Sequence, residues 1–360
     1  MKRVLPFAVV FCGILLSYNA LLPADKNKVQ KPENIIIMIG DGMGLSQITQ
    51  AKYANGGTLN LDRFKNIGMI TTHSANNLIT DSGAGATAFA CGIKTNNGYI
   101  GVDAEGNSVK NIFEIAQDKG MKTGVIATSS VTHATPASFI AHLKDRKNEF
   151  EIANQIANSR VDLFIGGGSE FFFNREDDID LKMALRKGGF KIYNKMKTKP
   201  ERMRGEKMAV LASKTGMPPA SQRESFLMDA WKTAEANFPL KGLGGYMLMV
   251  EGSQIDWAGH KHDQDYMVNE LLDFDNVVGS ILDYAQMTEN TLVIVLADHE
   301  TGGHTITEGN SDGSNMKIEW TTKDHTASLI PVYSYGPGSE IFIGTYDNTD
   351  IFKKLKSLIE

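Results

Sequence analysis

The acids and histidines that could do chemistry fall in a few short clusters. The densest is Glu251-Gly252-Ser253-Gln254-Ile255-Asp256-Trp257-Ala258-Gly259-His260. Asp256 and His260 are four residues apart, so on a helical turn they face the same way. A carboxylate and an imidazole together suit zinc, which takes small tetrahedral sets of nitrogen and oxygen ligands. Asp298-His299 offers a second such pair, and His325, in Lys323-Asp324-His325-Thr326, a further donor. Glu251 and Thr135 bring hard oxygen alone, which suits magnesium. His73, His142, His262 and His304 have no comparable setting. They read as surface or satisfied core residues, with His262 the next candidate for a ligand.

A nucleophile is available in Thr80-Asp81-Ser82-Gly83-Ala84-Gly85-Ala86-Thr87-Ala88-Phe89-Ala90. Its small residues allow a tight turn and close packing. A helix is expected to start here, which puts Ser82 at or just before the N-terminus. Unpaired N–H groups and the helix dipole favour an anion at that point. Serine before a helix is also an ordinary cap. The metal-type ligands elsewhere in the chain are what raise Ser82 above that role.

These groups need elements to bring them together. Residues 34–40, 246–250 and 291–297 are continuous apolar runs, the mark of strands buried on both faces. They end at Asp41, Glu251 and Asp298. A fourth strand at 123–127 runs out towards His133 and Thr135. Three acids at three strand ends, two with histidines close by, fit poorly with simple turn formers. Further strands are expected at 68–72, 163–165 and 329–335. Helices are expected over 111–119, 150–157, 177–186, 224–237, 266–287 and 350–359. Strands alternating with helices predict an α/β fold: a large, mostly parallel central sheet with helices on both faces. In such sheets ligands bind outside the carboxyl ends of the strands, so distant residues converge in one crevice. Residues 195–222 read as an excursion off the sheet.

The 360 residues are 42% hydrophobic and 22% charged, an ordinary globular balance, and the net charge of −5 gives no basic footprint for nucleic acid. Residues 1–24 stand apart. Lys2 and Arg3 precede an apolar run, with Leu22-Pro23-Ala24 after it, the pattern of a secretory signal peptide. The run is short for a spanning helix. The expectation is therefore a periplasmic or secreted protein with no stable membrane association after signal removal. Residues 25–33 read as a polar linker and 34–360 as one catalytic domain. Without the signal only Cys91 remains, so no internal disulfide can form.

The stretches Gly40-Asp41-Gly42-Met43-Gly44, Thr80 to Thr87, His133-Ala134-Thr135-Pro136, Glu251 to His260, Asp298-His299-Glu300-Thr301-Gly302-Gly303 and His325-Thr326 together resemble the motifs of alkaline phosphatases, in the same order. Each alone is a modest signal; the ordered set is specific. The resemblance implies a phosphate monoester hydrolase that uses two zinc ions and one magnesium. It makes Ser82 the residue transiently phosphorylated. Asp41, Asp298 and His299 match the ligands of the zinc beside that serine, and Asp256, His260 and His325 those of the other zinc. Asp41, Thr135 and Glu251 match the magnesium ligands. Arg146 matches the arginine that grips phosphate, an assignment that rests on the resemblance alone. His133 and Trp257 occupy positions that vary in the family: Trp257 offers no ligand, and His133 is expected to reach magnesium through water. The long insertions that some members use for dimerisation are not evident, leaving a homodimer or a monomer. Competing readings are a phosphodiesterase or sulfatase of the same superfamily, and a secreted phosphate- or metal-binding protein without turnover. No Cys-x-Pro-x-Arg segment of the sulfatase type surrounds Ser82.

Overall fold

All seven residues of Asn34–Gly40 are buried, as are all seven of Tyr246–Gly252 and all six of Thr291–Leu296. Strands of this kind must be covered on both faces, which places them at the middle of a layered α/β fold. The computed structural model describes residues 30–360 apart from 198, 200–201, 204–205 and 239–243. The signal peptide and most of the linker read from the sequence lie outside the described residues.

In chain order the described strands are β1 (Asn34–Gly40), β2 (Asn66–Thr71), β3 (Lys122–Ser130), β4 (Leu163–Gly167), β5 (Phe190–Tyr193), β6 (Lys207–Leu211), β7 (Tyr246–Gly252), β8 (Thr291–Leu296), β9 (Glu300–Thr301), β10 (His304–Glu308), β11 (Lys317–Trp320), β12 (His325–Thr326), β13 (Ile330–Tyr335) and β14 (Gly344–Asp347). Ten of them form one sheet in the order β14-β2-β13-β8-β1-β7-β3-β4-β6-β5. Every pairing in it is parallel except those of β13 with β2 and β8. Two small ribbons, β10 with β11 and β9 with β12, stand beside it. Helices cover both faces. Gln264–Thr288 packs on β1, β7 and β8, and Ile112–Asp118 packs on β3 and β7.

The neighbours β8-β1-β7-β3 position the site. They run parallel, and the register aligns Ile39 of β1 with both Glu251 of β7 and Leu296 of β8, while Ala127 of β3 also faces Glu251. Their carboxyl ends therefore lie along one edge. The chain leaves β7 towards β8 on one side and β3 towards β4 on the other, so the switch point at which open sheets form a ligand crevice falls between β7 and β3.

Three expectations need correction. Residues 195–222 are not wholly an excursion: Lys207–Leu211 is a sheet strand between β4 and β5, four of its five residues buried. The apolar run Met-Ala-Val-Leu is short and follows polar chain, so it gave little periodic signal. The helix expected from 177 starts at Leu181, where the Asp180 side chain accepts a bond from the Met183 N–H at 2.8 Å. The helix expected from 224 starts at Phe226, because Glu224 sits at φ 53, outside the helical region. The helix Leu45–Ala54, which follows Asp41 directly, carried no strong pattern in the sequence.

Candidate active site

The helix Ser82–Cys91 begins at Ser82. Asp81 caps it, its Oδ1 accepting from the Ala84 N–H at 2.9 Å. All ten residues of this helix are buried, and small side chains are required for that. A Cβ added at Gly85 would lie 3.0 Å from the Asp298 Cβ, and one at Gly83 would lie 2.8 Å from the Tyr99 carbonyl oxygen. The glycines thus allow the helix N-terminus to press against the end of β8. Ser82 Oγ comes to 3.3 Å from His299 Nε2.

His299 Nε2 is a meeting point. Asp41 Oδ1 lies 3.4 Å from it and Asp298 Oδ2 3.3 Å. A second set meets nearby: Asp256 Oδ1 is 3.3 Å from His260 Nε2 and 3.4 Å from His325 Nε2, and those two nitrogens are 3.2 Å apart. A tetrahedral zinc with bonds of about 2.0–2.1 Å holds its ligands roughly 3.3 Å from one another. Both sets have that spacing. The His299 and His325 rings stack with centroids 3.5 Å apart, so the two sets share a wall. Ligand atoms of Asp41, His133 and Glu251 form a third group, all within 4.8 Å of one another.

The histidines are turned so that Nε2 is free. His325 Nδ1 is bonded to the Thr80 carbonyl at 2.8 Å, His260 Nδ1 to the Lys323 carbonyl, and His299 Nδ1 to Thr301 Oγ1 at 3.2 Å. Spending Nδ1 on a fixed acceptor leaves the Nε2 lone pair aimed at the site, the arrangement that metal-binding imidazoles use. The Thr301 hydroxyl also donates to Asp256, joining the two sets.

The carboxylates show what is needed to complete this arrangement. Asp41 Oδ1 and Oδ2, Glu251 Oε1, Asp298 Oδ2 and Thr135 Oγ1 are buried, with no hydrogen bond among the described residues. Such atoms are rare because desolvation without a partner is costly. Burial, followed by the charges of Asp298, Asp256 and Glu251, drives Asp41 well above the usual carboxylate range. Burial likewise lifts Glu251 to about 8 and Asp298 to about 6. His260, bonded to Asp256, is raised to about 9, so protons compete for the place between them. Oxygen and nitrogen donors at this spacing, with five of the oxygens buried and without a hydrogen bond, fit two zinc ions and a harder cation such as magnesium.

Above them opens a cleft of 580 Å³, lined by Asn77, Ile79, Thr80, Asp81, Ser82, Asn97, His133, Arg146, Asp256, Trp257, His260, Asp324 and His325. Arg146 Nη1 donates to Asp81 Oδ2 at 2.8 Å, and the Gly98 N–H donates to the same oxygen at 3.0 Å. Asp81 therefore both starts the Ser82 helix and aims Arg146, a role the sequence reading missed although the cap position was legible. Arg146 Nη2 lies 3.5 Å from His133 Nε2. Burial, then the charge of Arg146, holds His133 down to about 3, so it stays neutral. Its ring stands edge-on to Trp257 with centroids 6.0 Å apart. Trp257 packs so closely on Gly216 that a Cβ there would lie 2.5 Å from the indole.

All the predicted site residues come together here. The four histidines set aside lie elsewhere. His142 bonds the Gly101 carbonyl, His262 bonds the Thr322 carbonyl and stacks on Trp320, buried His304 bonds Gln50, and His73 is exposed near Asp347.

Comparison with known proteins agrees with this geometry. The alkaline phosphatase family model matches residues 32–228 and 227–314. The chain belongs to the alkaline phosphatase family. Alkaline phosphatase 4 of Bacillus subtilis is 33% identical, with 99% of this chain and 97% of that protein covered. The Escherichia coli alkaline phosphatase is 28% identical over 91% of this chain and 86% of its own. Among solved structures, the alkaline phosphatase of the Antarctic bacterium TAB5 is 44% identical with a TM-score of 0.88, covering 92% of this chain and 99% of that one. A variant of the TAB5 enzyme, 42% identical with a TM-score of 0.87, has magnesium bound in a site designated M3. Membership makes this chain a metal-dependent phosphate monoester hydrolase. No helix among the described residues is long and apolar enough to cross a membrane.

Proposed function

We propose that this enzyme hydrolyses phosphate monoesters through a phosphoserine at Ser82, with two zinc ions and one magnesium. The observation that carries the reading is the placement of Ser82 Oγ. It is the first residue of a helix, 3.3 Å from His299 Nε2, and it lines the same cleft as Arg146. Asp41, Asp298 and His299 would hold the zinc beside Ser82; Asp256, His260 and His325 the other; Asp41, Thr135 and Glu251 the magnesium. When bound, the zinc ions lower the pKa of hydroxyl groups and offset charge on the entering and leaving oxygens.

The protein's own part is positioning. Ser82 Oγ attacks phosphorus in line, the alcohol departs on the opposite side, and the phosphoryl group rests on the serine. The Arg146 guanidinium, its Nη1 braced by Asp81, presents a planar fork to the equatorial oxygens. The backbone N–H groups at the start of the Ser82 helix add positive potential. Water then attacks from the vacated side, releasing inorganic phosphate and restoring Ser82. Phosphoryl transfer asks for little covalent work beyond this. We further take residues 1–24 as a signal peptide directing export, and 34–360 as one catalytic domain acting on small phosphate monoesters.

Labelled phosphate trapped at mildly acid pH tests the reading. The label is expected on Ser82 and absent from Ser82→Ala, whose turnover falls on the order of 10⁴-fold or more. A chromogenic monoester should outrun its diester and the sulfate ester. Label on another residue, or faster diester turnover, would overturn the reading.

A further inference from the structure

Glu300 has no part in the scheme above, yet its carboxylate is 4% exposed and saturated with donors. Oε1 accepts from Gln47 Nε2 at 2.6 Å and from the His304 N–H at 3.0 Å. Oε2 accepts from the Gly303 N–H at 3.2 Å and from the Thr326 hydroxyl. The donors come from three segments, and each adjoins a ligand. Gln47 lies in the helix that follows Asp41, and it also donates to the Thr301 carbonyl at 2.8 Å. Gly303 and His304 follow His299. Thr326 follows His325, and in the antiparallel ribbon Thr326 stands directly opposite Glu300.

The surrounding backbone is shaped for this carboxylate. Gly302 and Gly303 have φ of 96 and 56, a left-handed pair that turns successive N–H groups inward. Gly44 is glycine for the same reason: a Cβ there would lie 2.4 Å from Glu300 Cγ. Two of the glycine-rich stretches in the sequence thus close around a single acid. Glu300 does not line the cleft that holds Ser82; it lines a separate one with Thr326 and His304.

We infer that Glu300 is a positioning residue that fixes His325 relative to His299 and Asp41, and so sets the spacing between the two zinc ions. This rests on the reading that both donor sets hold zinc. The route is short: Glu300 grips Thr326, and Thr326 carries the backbone of His325. Neighbours that orient a metal ligand typically matter by 10–100-fold in metal affinity.

The test is a zinc titration of the purified enzyme against a competing chelator, with elemental analysis, beside kcat and KM for a monoester. Glu300→Gln keeps the shape but puts an amide N–H against donors whichever way it turns. One of the two zinc ions should then bind 10–100-fold more weakly, with kcat falling and KM nearly unchanged. Thr326→Val should shift the same zinc in the same direction by less, and Thr326→Ser should bind as the parent does. Parental affinity for both zinc ions in folded Glu300→Gln would overturn the inference. Should Glu300→Gln fail to fold, Thr326→Val decides, and parental zinc affinity in that variant also overturns it. A parent enzyme that takes up no zinc would overturn the proposed function together with this inference.

Discussion

Two clusters of buried charge in this protein are built in opposite ways. In one, Arg223 reaches Glu270 through both oxygens, at 2.8 and 2.7 Å, and Asp273 at 2.6 Å. The Ala220 N–H adds a further bond to Glu270 at 2.7 Å. The side chains of Arg223 and Glu270 are 1% and 0% exposed. In the other, Asp41, Glu251 and Asp298 are fully buried at the sheet edge and carry four oxygens without a hydrogen bond. Burial lifts Glu270, but Arg223 restrains the rise; for Asp41 the neighbours are acids, and they add to it. The first cluster carries its own cation, which bonds both acids and pins residues 218–223 to the long helix. The second is left short of positive charge, and only cations from outside can supply it.

The largest effect expected from breaking this contrast is in the Arg223 cluster. Arg223→Ala would strand two acids and should cost about 3–5 kcal/mol of stability. Denaturant unfolding measures it, and metal content per folded molecule should stay at the parental value. A matching loss of zinc would show that the two clusters are not separate.

Arg146→Ala comes next. In the proposed scheme it removes a charge-assisted contact to phosphate worth roughly 1.5–3 kcal/mol, so inhibition by phosphate should weaken about tenfold or more. An unchanged inhibition constant would mean that Arg146 faces the cleft without gripping the anion.

The smallest effect sharpens the contrast through pH. In metal-free protein, Glu251 at about 8 and Asp298 at about 6 lie above their ordinary values, so the folded state holds protons that the unfolded chain releases. Their contribution is full below the unfolded pKa, near 4, and is lost as pH rises through 6 and 8. The melting temperature of stripped protein should therefore fall from pH 7 to pH 9, above the range in which buried neutral histidines such as His133 act in the opposite sense, and loading with zinc and magnesium should remove that slope. A slope of the opposite sign in stripped protein would contradict the charge deficit.

Much of this site was legible in the sequence because three of the strands that supply ligands are continuous apolar runs with an acid at or just past the end. Asp41, Glu251 and Asp298 announce themselves in that way, and Asp256 with His260 does so by helical spacing. Arg146 does not: it lies in an irregular segment with no periodic context, and only the ordered family motifs single it out. Asp81 and Glu300 were visible as letters, but their work depends on partners 65 residues away in the first case and 253 in the second. The strand Lys207–Leu211 was missed because a strand at the side of a sheet needs only a brief apolar run, and tertiary pairing rather than propensity makes it a strand.

The central claim is that metal ions reverse the sign of the site. Asp41, Glu251, Asp256 and Asp298 bring roughly −4 of formal charge; two zinc ions and one magnesium would add roughly +6 and leave about +2 beside Arg146. The direct measurement is phosphate binding by calorimetry, with melting temperature, on protein stripped of metal, confirmed by elemental analysis, and then reloaded. Stripped protein should bind no phosphate and melt lower; zinc should restore both properties, with magnesium adding to them. Stripped protein that binds phosphate as tightly as the loaded enzyme, and melts at the same temperature, would contradict the account.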